Sequence, residues 1–211
     1  MLHHCSHNID IQVLLDNLEG CHWYPIDQVF NTENCVEVDE LPNKIGRWKV
    51  GDWYYELNHK LNWMRWSRDG ERFKYTWSRR KNKNHDFNEY EQKIENEVRK
   101  FMETIGIDDW GWRFLRVMPD DHMIWHIDSP NHAPCSINIS LKDKSPIIFD
   151  DGEFVYDCAL LGVSDKWHTV KSGETERLTF KIIPKAPYEI VKFKLAEAGF
   201  LQSKQSIVHS C

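Results

Sequence analysis

The segment Arg177-Leu178-Thr179-Phe180-Lys181-Ile182 alternates between two kinds of side chain. Arg177 and Thr179 are polar, and the alternate positions hold the apolar residues Leu178, Phe180 and Ile182. Side chains of a β-strand point to opposite faces of the sheet with a period of two residues. The segment therefore predicts a strand with one polar face toward a cavity and one apolar face toward a helix-covered core.

The whole region from Trp110 to Pro184 has a similar β-rich character. Short runs of aromatic and β-branched residues are separated by turn signals such as Asp151-Gly152 and Ser172-Gly173. The predicted strands are 112–118, 123–128, 135–141, 146–149, 153–155, 158–163, 167–171 and 176–183. Short strands with tight connections favour a mainly β fold with flanking helices, namely a double-stranded β-helix of the cupin-like, jelly-roll kind.

Three helices are predicted around this sheet region, at 9–18, 86–105 and 188–199, with a strand as the alternative for 9–18. Asn84 or Asp86 is expected to cap the second helix, and Gly106 stands where a helix C-terminal glycine belongs. The apolar residues of the second helix recur every three or four positions and form one stripe, which we expect to pack on the sheet. They are Phe87, Tyr90, Ile94, Val98, Phe101 and Ile105.

The chain length of 211 residues favours a single domain. We expect an N-terminal elaboration over 1–109, a β core over 110–184 and a C-terminal extension over 185–211. The formal charge of −6 argues against non-specific nucleic-acid binding as the main function. The basic and aromatic stretch 72–83 is interpreted as a solvated loop leading into a helix, with single-stranded nucleic-acid binding as the alternative.

Cysteine spacing and hydropathy indicate a cellular setting. The six cysteines contain no CxxC motif, which favours reduced thiols over a disulfide framework. No run approaches the ~20 apolar residues of a membrane span, and Met1-Leu2-His3-His4 does not begin a leader peptide. We therefore expect a cytoplasmic protein with no membrane partner, in the cytoplasm of a virus-infected host cell if the chain is viral.

Candidate metal ligands lie on two of the predicted strands. His126 and Asp128 are two positions apart on the strand 123–128, so their side chains share a face. His168 begins the later run His168-Thr169-Val170. Two imidazoles and one carboxylate on one side of a metal form the facial triad of non-haem Fe(II) oxygenases. Arg177 follows on the last strand, where a guanidinium can grip a carboxylate.

In order, type and spacing, His126, Asp128, His168 and Arg177 resemble the pattern of the 2-oxoglutarate- and Fe(II)-dependent oxygenases. The resemblance covers about a third of the chain and implies the same jelly-roll fold. Within that superfamily the chain looks most similar to the aspartyl/asparaginyl β-hydroxylase-like branch and to phage-encoded members. In that branch alternate residues of the run 135–141 are basic co-substrate ligands, whereas here they are neutral.

The resemblance implies an activity and a division of roles. Fe(II) would be held by His126, Asp128 and His168, and the far carboxylate of 2-oxoglutarate would pair with Arg177. Thr179 and Asn138 would add neutral hydrogen bonds to the co-substrate. The implied reaction is hydroxylation of an unidentified substrate with release of succinate and CO2; a protein side chain or small molecule is favoured, and nucleic acid stays open.

Two other functions fit parts of the pattern. One is a cupin-type metalloenzyme that uses no 2-oxoglutarate, in which Arg177 has no assigned task. The other is a non-catalytic jelly-roll module that grips a sugar or peptide. Its binding surface would be the tryptophan-rich N-terminal half, whose rings are otherwise expected to cover a sheet edge: Trp23, Trp48, Trp53, Trp63 and Trp66.

Two further histidine groups are weaker candidates for metal binding. His122 and His126 are four apart, as two zinc ligands on a helix would be, but their β-rich context and the lack of the zinc-protease glutamate argue against this. The N-terminal group His3, His4, Cys5 and His7 is expected to bind metal only adventitiously.

Overall fold

The computed structural model describes residues 2–21, 24–25, 47–50, 53–56, 73–79, 87–119, 134–149, 151–164, 166–170 and 173–201. For 24–25, 47–50, 53–56 and 73–79 it describes the backbone only. The segment 120–133, which contains His122, His126 and Asp128, lies outside these ranges, as do Trp23, Trp63 and Trp66. The predicted strand 123–128 therefore stays a prediction.

The described residues form twelve strands and three α-helices. The helices are α1 (Ile11–Asn17), α2 (Glu89–Thr104) and α3 (Tyr188–Glu197). None of them is long and apolar enough to cross a membrane. The strands are β1 (Leu2–His4), β2 (Tyr24–Pro25), β3 (Arg47–Val50), β4 (Trp53–Glu56), β5 (Phe73–Arg79), β6 (Trp110–Val117), β7 (Ser136–Lys142), β8 (Ile147–Phe149), β9 (Gly152–Phe154), β10 (Cys158–Leu161), β11 (His168–Val170) and β12 (Arg177–Pro184).

The strands assemble into a jelly roll. A large seven-stranded sheet has the order β1-β10-β7-β12-β6-β5-β2, and a small three-stranded sheet has the order β11-β8-β9. All described pairs are antiparallel, and β3 and β4 form a separate hairpin. From β7 onward the chain passes from the large sheet to β8 and β9, back to β10, across to β11 and back to β12. This exchange confirms the predicted jelly-roll fold.

The apolar face of β12 packs against the helices. Leu178, Phe180 and Ile182 are at most 2% exposed and join one core cluster with buried residues of α2 and α3. The Phe180 ring lies 4.9 Å from the Phe114 ring and 5.7 Å from the Trp112 ring, measured between centroids. Trp112 also donates from Nε1 to Glu95 Oε2 of α2 at 3.0 Å. The predicted helix-facing core is therefore present.

A second apolar cluster fills part of the space between the two sheets. Its members come from the small sheet, from β10 and from the loops beside them. They are Ile147, Phe149, Tyr156, Ala159, Leu161 and Val163. Since both sheets contribute, their inner faces are packed against each other at this end of the barrel.

Helix α2 begins later than predicted. Its N-cap is Asn88, whose side chain accepts from the backbone N–H groups of Tyr90 and Glu91, while Glu91 accepts from the Asn88 N–H in a capping box. The cap is therefore Asn88 rather than Asn84 or Asp86, because Asn88 and Glu91 form this reciprocal pair. Gly106 ends the helix with a φ of 65°, as predicted. Tyr90 is 39% exposed and is not part of the buried stripe.

The basic and aromatic stretch is not a loop over most of its length. Phe73–Arg79 is a strand, β5, whose seven residues pair with β6. Its aromatic residues Phe73, Tyr75 and Trp77 recur at every second position, which is the period of a strand, and aromatic residues favour strands. The expectation of a loop there was wrong because it gave the interleaved charges more importance than this period.

The packing of the large sheet against α2 leads to a prediction about stability. Phe180→Ala should lower the free energy of unfolding by about 3–5 kcal/mol, because it leaves a cavity between the sheet and α2. Phe193→Ala is the matched control, since Phe193 of α3 is 57% exposed and should change stability by less than ~0.5 kcal/mol. Urea denaturation of both variants measures the difference, and equal losses would contradict the proposed core.

Candidate co-substrate and metal site

The inner face of the large sheet has a polar wall. Arg177, Thr179 and Lys181 alternate along β12 and are 3%, 4% and 4% exposed. Lys181 pairs with Asn138 of β7, and Asn138 pairs with Ala159 of β10, a member of the apolar cluster between the sheets. Directly paired residues point to the same face of a sheet. The interior is therefore polar along β12 and β7 and apolar along β10 and the small sheet.

Arg177 is held by the backbone of the loop between β7 and β8. Its Nη1 donates to the carbonyl oxygens of Ser145 and Pro146, the latter at 2.9 Å. Its Nη2 donates to the hydroxyl of Tyr156 at 3.4 Å. Two carbonyls occupy the two hydrogens of Nη1, so the plane and direction of the guanidinium are fixed before any ligand arrives.

Asp143 fastens the loop that holds Arg177. Its Oδ1 accepts from the Ser145 N–H at 2.9 Å and from the Ser145 hydroxyl at 2.6 Å, and its Oδ2 accepts from the Gly173 N–H at 2.8 Å. Desolvation opposes ionisation of Asp143, but these hydrogen bonds and the nearby Arg177 charge outweigh it and lower the pKa. Asp143 thus joins the loop after β7 to the loop before β12.

Tyr156 connects Arg177 to Asn138. Its hydroxyl oxygen accepts from Arg177 Nη2 and, at 3.3 Å, from Asn138 Nδ2. Because both contacts use the oxygen as an acceptor, the hydroxyl hydrogen can be donated to a third group. Tyr156 is 5% exposed and was not predicted as a site residue, since it lies between two predicted strands where no periodicity assigns a direction.

His168 is buried on the small sheet. It is 3% exposed and pairs with Phe149, a member of the cluster between the sheets, so its ring belongs to the inner face. His168 Nδ1 lies 3.0 Å from the Lys166 carbonyl oxygen. A carbonyl only accepts, so Nδ1 bears the hydrogen and Nε2 of the neutral ring carries the lone pair. This is the tautomer that a metal ligand bound through Nε2 requires.

Lys181 is a second cation of the interior that the sequence reasoning did not select. β8 and β12 begin at the same end of the barrel, where Arg177 contacts Ser145 and Pro146. Four residues along a strand cover about 13 Å, so Lys181 lies about that far beyond Arg177. Phe149, paired with His168, is four residues beyond Ser145. Lys181 therefore belongs to the large-sheet wall of the interior, whereas His168 belongs to the small sheet.

The metal-ligand prediction concerns residues that the structure describes only in part. His168 is described, whereas His126, Asp128 and the rival ligand His122 lie in 120–133. Among the described residues, no group of three or more His, Cys, Asp or Glu side chains is arranged around a common point. The described part of the N-terminal group His3, His4, Cys5 and His7 thus forms no such cluster.

Two polar atoms of β7 suit a polar ligand between the sheets. Asn138 Oδ1 and Ser136 Oγ are buried and have no hydrogen-bond partner among the residues that the structure describes. Ser136 is 0% and Asn138 6% exposed, and they are two positions apart, so both belong to the inner face. A buried polar atom without a partner destabilises a fold by about 1–3 kcal/mol, which a bound polar molecule can offset.

No protein-family model matches the sequence, and no curated protein matches it. Solved structures do resemble it. An oxidoreductase of the 2OG-Fe(II) oxygenase family from Burkholderia pseudomallei is 13% identical, with 55% of this chain and 70% of that chain covered and a TM-score of 0.40.

Two further structures extend this comparison. A Pseudomonas putida prolyl-4-hydroxylase is 12% identical, with 87% of this chain and 94% of that chain covered and a TM-score of 0.40. A cupin 2 conserved barrel domain protein from Rhodopseudomonas palustris is 9% identical, with 55% and 62% covered and a TM-score of 0.33. Identities and scores of this size carry no argument about chemistry, which has to come from the side chains themselves.

The hydrogen bonds of Asp143 predict a contribution to stability that depends on pH. A carboxyl group whose pKa is lowered on folding stabilises the fold above its unfolded pKa, and this contribution is lost as the pH falls through the folded value. Asp143→Ala should therefore lower the free energy of unfolding by about 1 kcal/mol at neutral pH and by less at about pH 3. Denaturation at both pH values tests this, with the exposed Asp157→Ala as a near-neutral control.

Proposed function

We propose that the chain is an Fe(II)- and 2-oxoglutarate-dependent oxygenase that hydroxylates its substrate and releases succinate and CO2. The observation that carries the proposal is the guanidinium of Arg177. It is 3% exposed, fixed by two backbone carbonyls and directed at the Tyr156 hydroxyl between the sheets. Burying a cation is costly, so an arginine prepared in this way favours an anionic ligand.

The co-substrate carboxylate would be held from one side of the guanidinium. Nη1 is already used by the Ser145 and Pro146 carbonyls, so the contact falls to Nη2 rather than to both terminal nitrogens. The Tyr156 hydroxyl, which accepts from Arg177 and Asn138, can donate its hydrogen to the same carboxylate. Thr179 is buried two residues from Arg177 on the same face and supplies a further hydroxyl.

The described residues also fit the metal that this reaction needs. His168 is buried on the inner face, and its Nδ1 contact with the Lys166 carbonyl makes Nε2 the nitrogen that would bind a cation in the neutral ring. A strand at 123–128 would complete the eight strands of a jelly roll. Its place in the small sheet would be beside β11, which would bring His126 and Asp128 next to His168. Fe(II) in such a triad would supply the oxidising power for breaking a substrate C–H bond.

The protein's own share in this reaction is orientation and shielding. The hydrogen bond to the Lys166 carbonyl fixes the imidazole of His168, and the Phe149 ring lies 5.7 Å from it between centroids. The apolar cluster of β8 and β10 keeps water from one side of the interior. Arg177 and Tyr156 would fix the far end of the co-substrate, so that its keto-acid end points along β12 toward the level of His168.

The substrate is proposed to be a protein side chain or a small molecule. The Lys181 ammonium has three donors and lies on the wall facing His168, so it can bind an oxygen of a substrate in addition to any protein partner. The proposed closeness to the aspartyl/asparaginyl β-hydroxylase-like branch depends on the run 135–141. Ser136 and Asn138 of that run are on the inner face, where they would act as neutral hydrogen-bonding residues.

The metal assignment predicts a loss of iron binding in one variant. Anaerobic titration with Fe(II) should show one tight site in the wild type and no tight site in His168→Ala, because one of three ligands is gone. His4→Ala is the control, since His4 is an exposed residue of β1 and belongs to the N-terminal histidine group. Loss of the tight site in His4→Ala instead would assign the iron to that group.

The co-substrate assignment predicts a different result at Arg177. Arg177→Ala should bind Fe(II) like the wild type but need at least tenfold more 2-oxoglutarate for half-maximal succinate formation, because a buried charged hydrogen bond is worth about 1.5–3 kcal/mol. Arg99→Ala, which removes an arginine that is 38% exposed on α2, should change neither quantity. Unchanged succinate formation in Arg177→Ala would rule out the co-substrate assignment.

The same measurements separate the two other functions. A cupin-type metalloenzyme without a co-substrate would bind Fe(II) and form no succinate from 2-oxoglutarate. A non-catalytic binding module would show neither a tight iron site nor turnover. Only the oxygenase predicts both, with His168→Ala defective in the first and Arg177→Ala in the second.

A further inference from the structure

The strand β1 joins three separate parts of the fold. It pairs with β10 at the edge of the large sheet, in the register His4 to Ala159. His3 Nδ1 contacts the Tyr188 hydroxyl of α3 at 2.5 Å. The Ser6 N–H donates to the Phe200 carbonyl at 2.8 Å. β1 and the residues after it therefore connect the edge of the sheet to α3 and to the segment that follows α3.

Two thiols meet at the end of this strand. The register that pairs His4 with Ala159 brings Cys5 opposite Cys158, and the Cys5 N–H donates to the Cys158 carbonyl at 3.1 Å. The two Sγ atoms are 3.3 Å apart. Both cysteines are free, and they are 2% and 5% exposed. No other pair of the described cysteines has its sulfur atoms in contact: Cys21 and Cys135 donate to the carbonyls of Asn17 and Ala186.

We propose that Cys5 and Cys158 are a redox-modification site that forms an intramolecular disulfide under hydrogen peroxide. A disulfide has an S–S distance of about 2.05 Å, so the sulfurs must approach by about 1.2 Å. Neighbouring antiparallel strands keep Cα atoms about 4.5–5.5 Å apart, within the range that disulfides span. The bond can therefore form by side-chain rotation and a small shift of an edge strand.

The reaction balances with one peroxide per pair. A thiolate of one cysteine attacks one oxygen of hydrogen peroxide, giving a sulfenic acid and, after protonation, one water. The sulfur of the other cysteine then attacks the sulfenic sulfur, and the hydroxyl leaves as a second water. Two thiols are oxidised by two electrons, and hydrogen peroxide is reduced to two molecules of water.

The surroundings of Cys5 and Cys158 determine how fast the disulfide forms. The hydrogen bond with Cys5, followed by burial, raises the pKa of the Cys158 thiol well above its usual value. Since the thiolate is the reactive form, oxidation should be slow at neutral pH and faster as the pH rises. Access depends on opening β1, which has three residues, together with the bridge between Cys5 and Leu201 that follows it.

The disulfide would tether the chain after β1 to β10, at the edge of the large sheet whose inner face carries the proposed site. Cys158 pairs with Ile139 of β7, and its neighbour Ala159 pairs with Asn138. A bond between residues 153 positions apart restricts the unfolded chain strongly. The oxidised protein should therefore melt roughly 5–10 °C higher, and the backbone amides of β1 should exchange hydrogen more slowly. The proposal does not depend on the oxygenase assignment.

The test uses the full chain without added iron. The protein is treated with hydrogen peroxide in the presence of a chelator, alkylated, digested without reduction and analysed by mass spectrometry. We expect a cross-linked peptide pair that contains Cys5 and Cys158, lacks two hydrogen atoms and separates after treatment with dithiothreitol. Recovery of both cysteines as alkylated thiols, or as separate sulfinic or sulfonic acids, would overturn the proposal.

Variants distinguish this pair from other cysteines. Cys21→Ser is the matched control, because Cys21 is equally buried but contacts no sulfur, and it should form the cross-link like the wild type. The double variant Cys35→Ser/Cys211→Ser removes the two cysteines outside the described residues and should also form it. In Cys5→Ser the cross-link and the increase in Tm should both disappear. Persistence of that increase in Cys5→Ser would assign it to another oxidation.

Discussion

The two-sided character of β12 is the constraint on which the rest of the structure depends. One face has to supply Leu178, Phe180 and Ile182 to the core under α2, while the other presents Arg177, Thr179 and Lys181 to the space between the sheets. A shift of one residue in its pairing would exchange these faces. The helix-side core therefore fixes the register of β12, and that register brings Arg177 to the loop that holds it. Packing on one side of the sheet thereby controls chemistry on the other.

Much of the fold was predictable because it depends on short-range periodicity. The alternation along β12 and the turn signals between short strands gave seven of the eight core strands within two residues of their observed ends, and the eighth, 123–128, lies outside the described residues. The start of α2 was harder, because Asn84, Asp86 and Asn88 are all chemically able to cap a helix. Only the reciprocal contact with Glu91 distinguishes Asn88. Local sequence narrows the choice of cap, and the contact decides it.

The polar site was predictable only in part, for a different physical reason. Arg177, Thr179 and His168 lie on strands, where periodicity and a family pattern indicate a direction. Asp143 and Tyr156 lie in connections between strands, and their roles arise from contacts with residues far along the chain. Lys181 has the same strand parity as Arg177 and Thr179 but was not selected, and a charged residue on a strand usually points to solvent. Its burial follows from its cross-strand neighbour Asn138, which no local pattern reveals.

The unequal walls of the interior have a consequence for any molecule that enters it. Hydrogen bonds are directional, whereas burial of apolar surface is not. A ligand with one polar and one apolar side would therefore bind with its polar side toward β7 and β12. Its apolar side would pack against Ala159, Leu161 and Ile147. A ligand that is apolar on all sides would leave Asn138 Oδ1 and Ser136 Oγ without a hydrogen-bond partner among the described residues. The barrel would thus favour amphipathic ligands and would bind them in one orientation, independently of any reactive group.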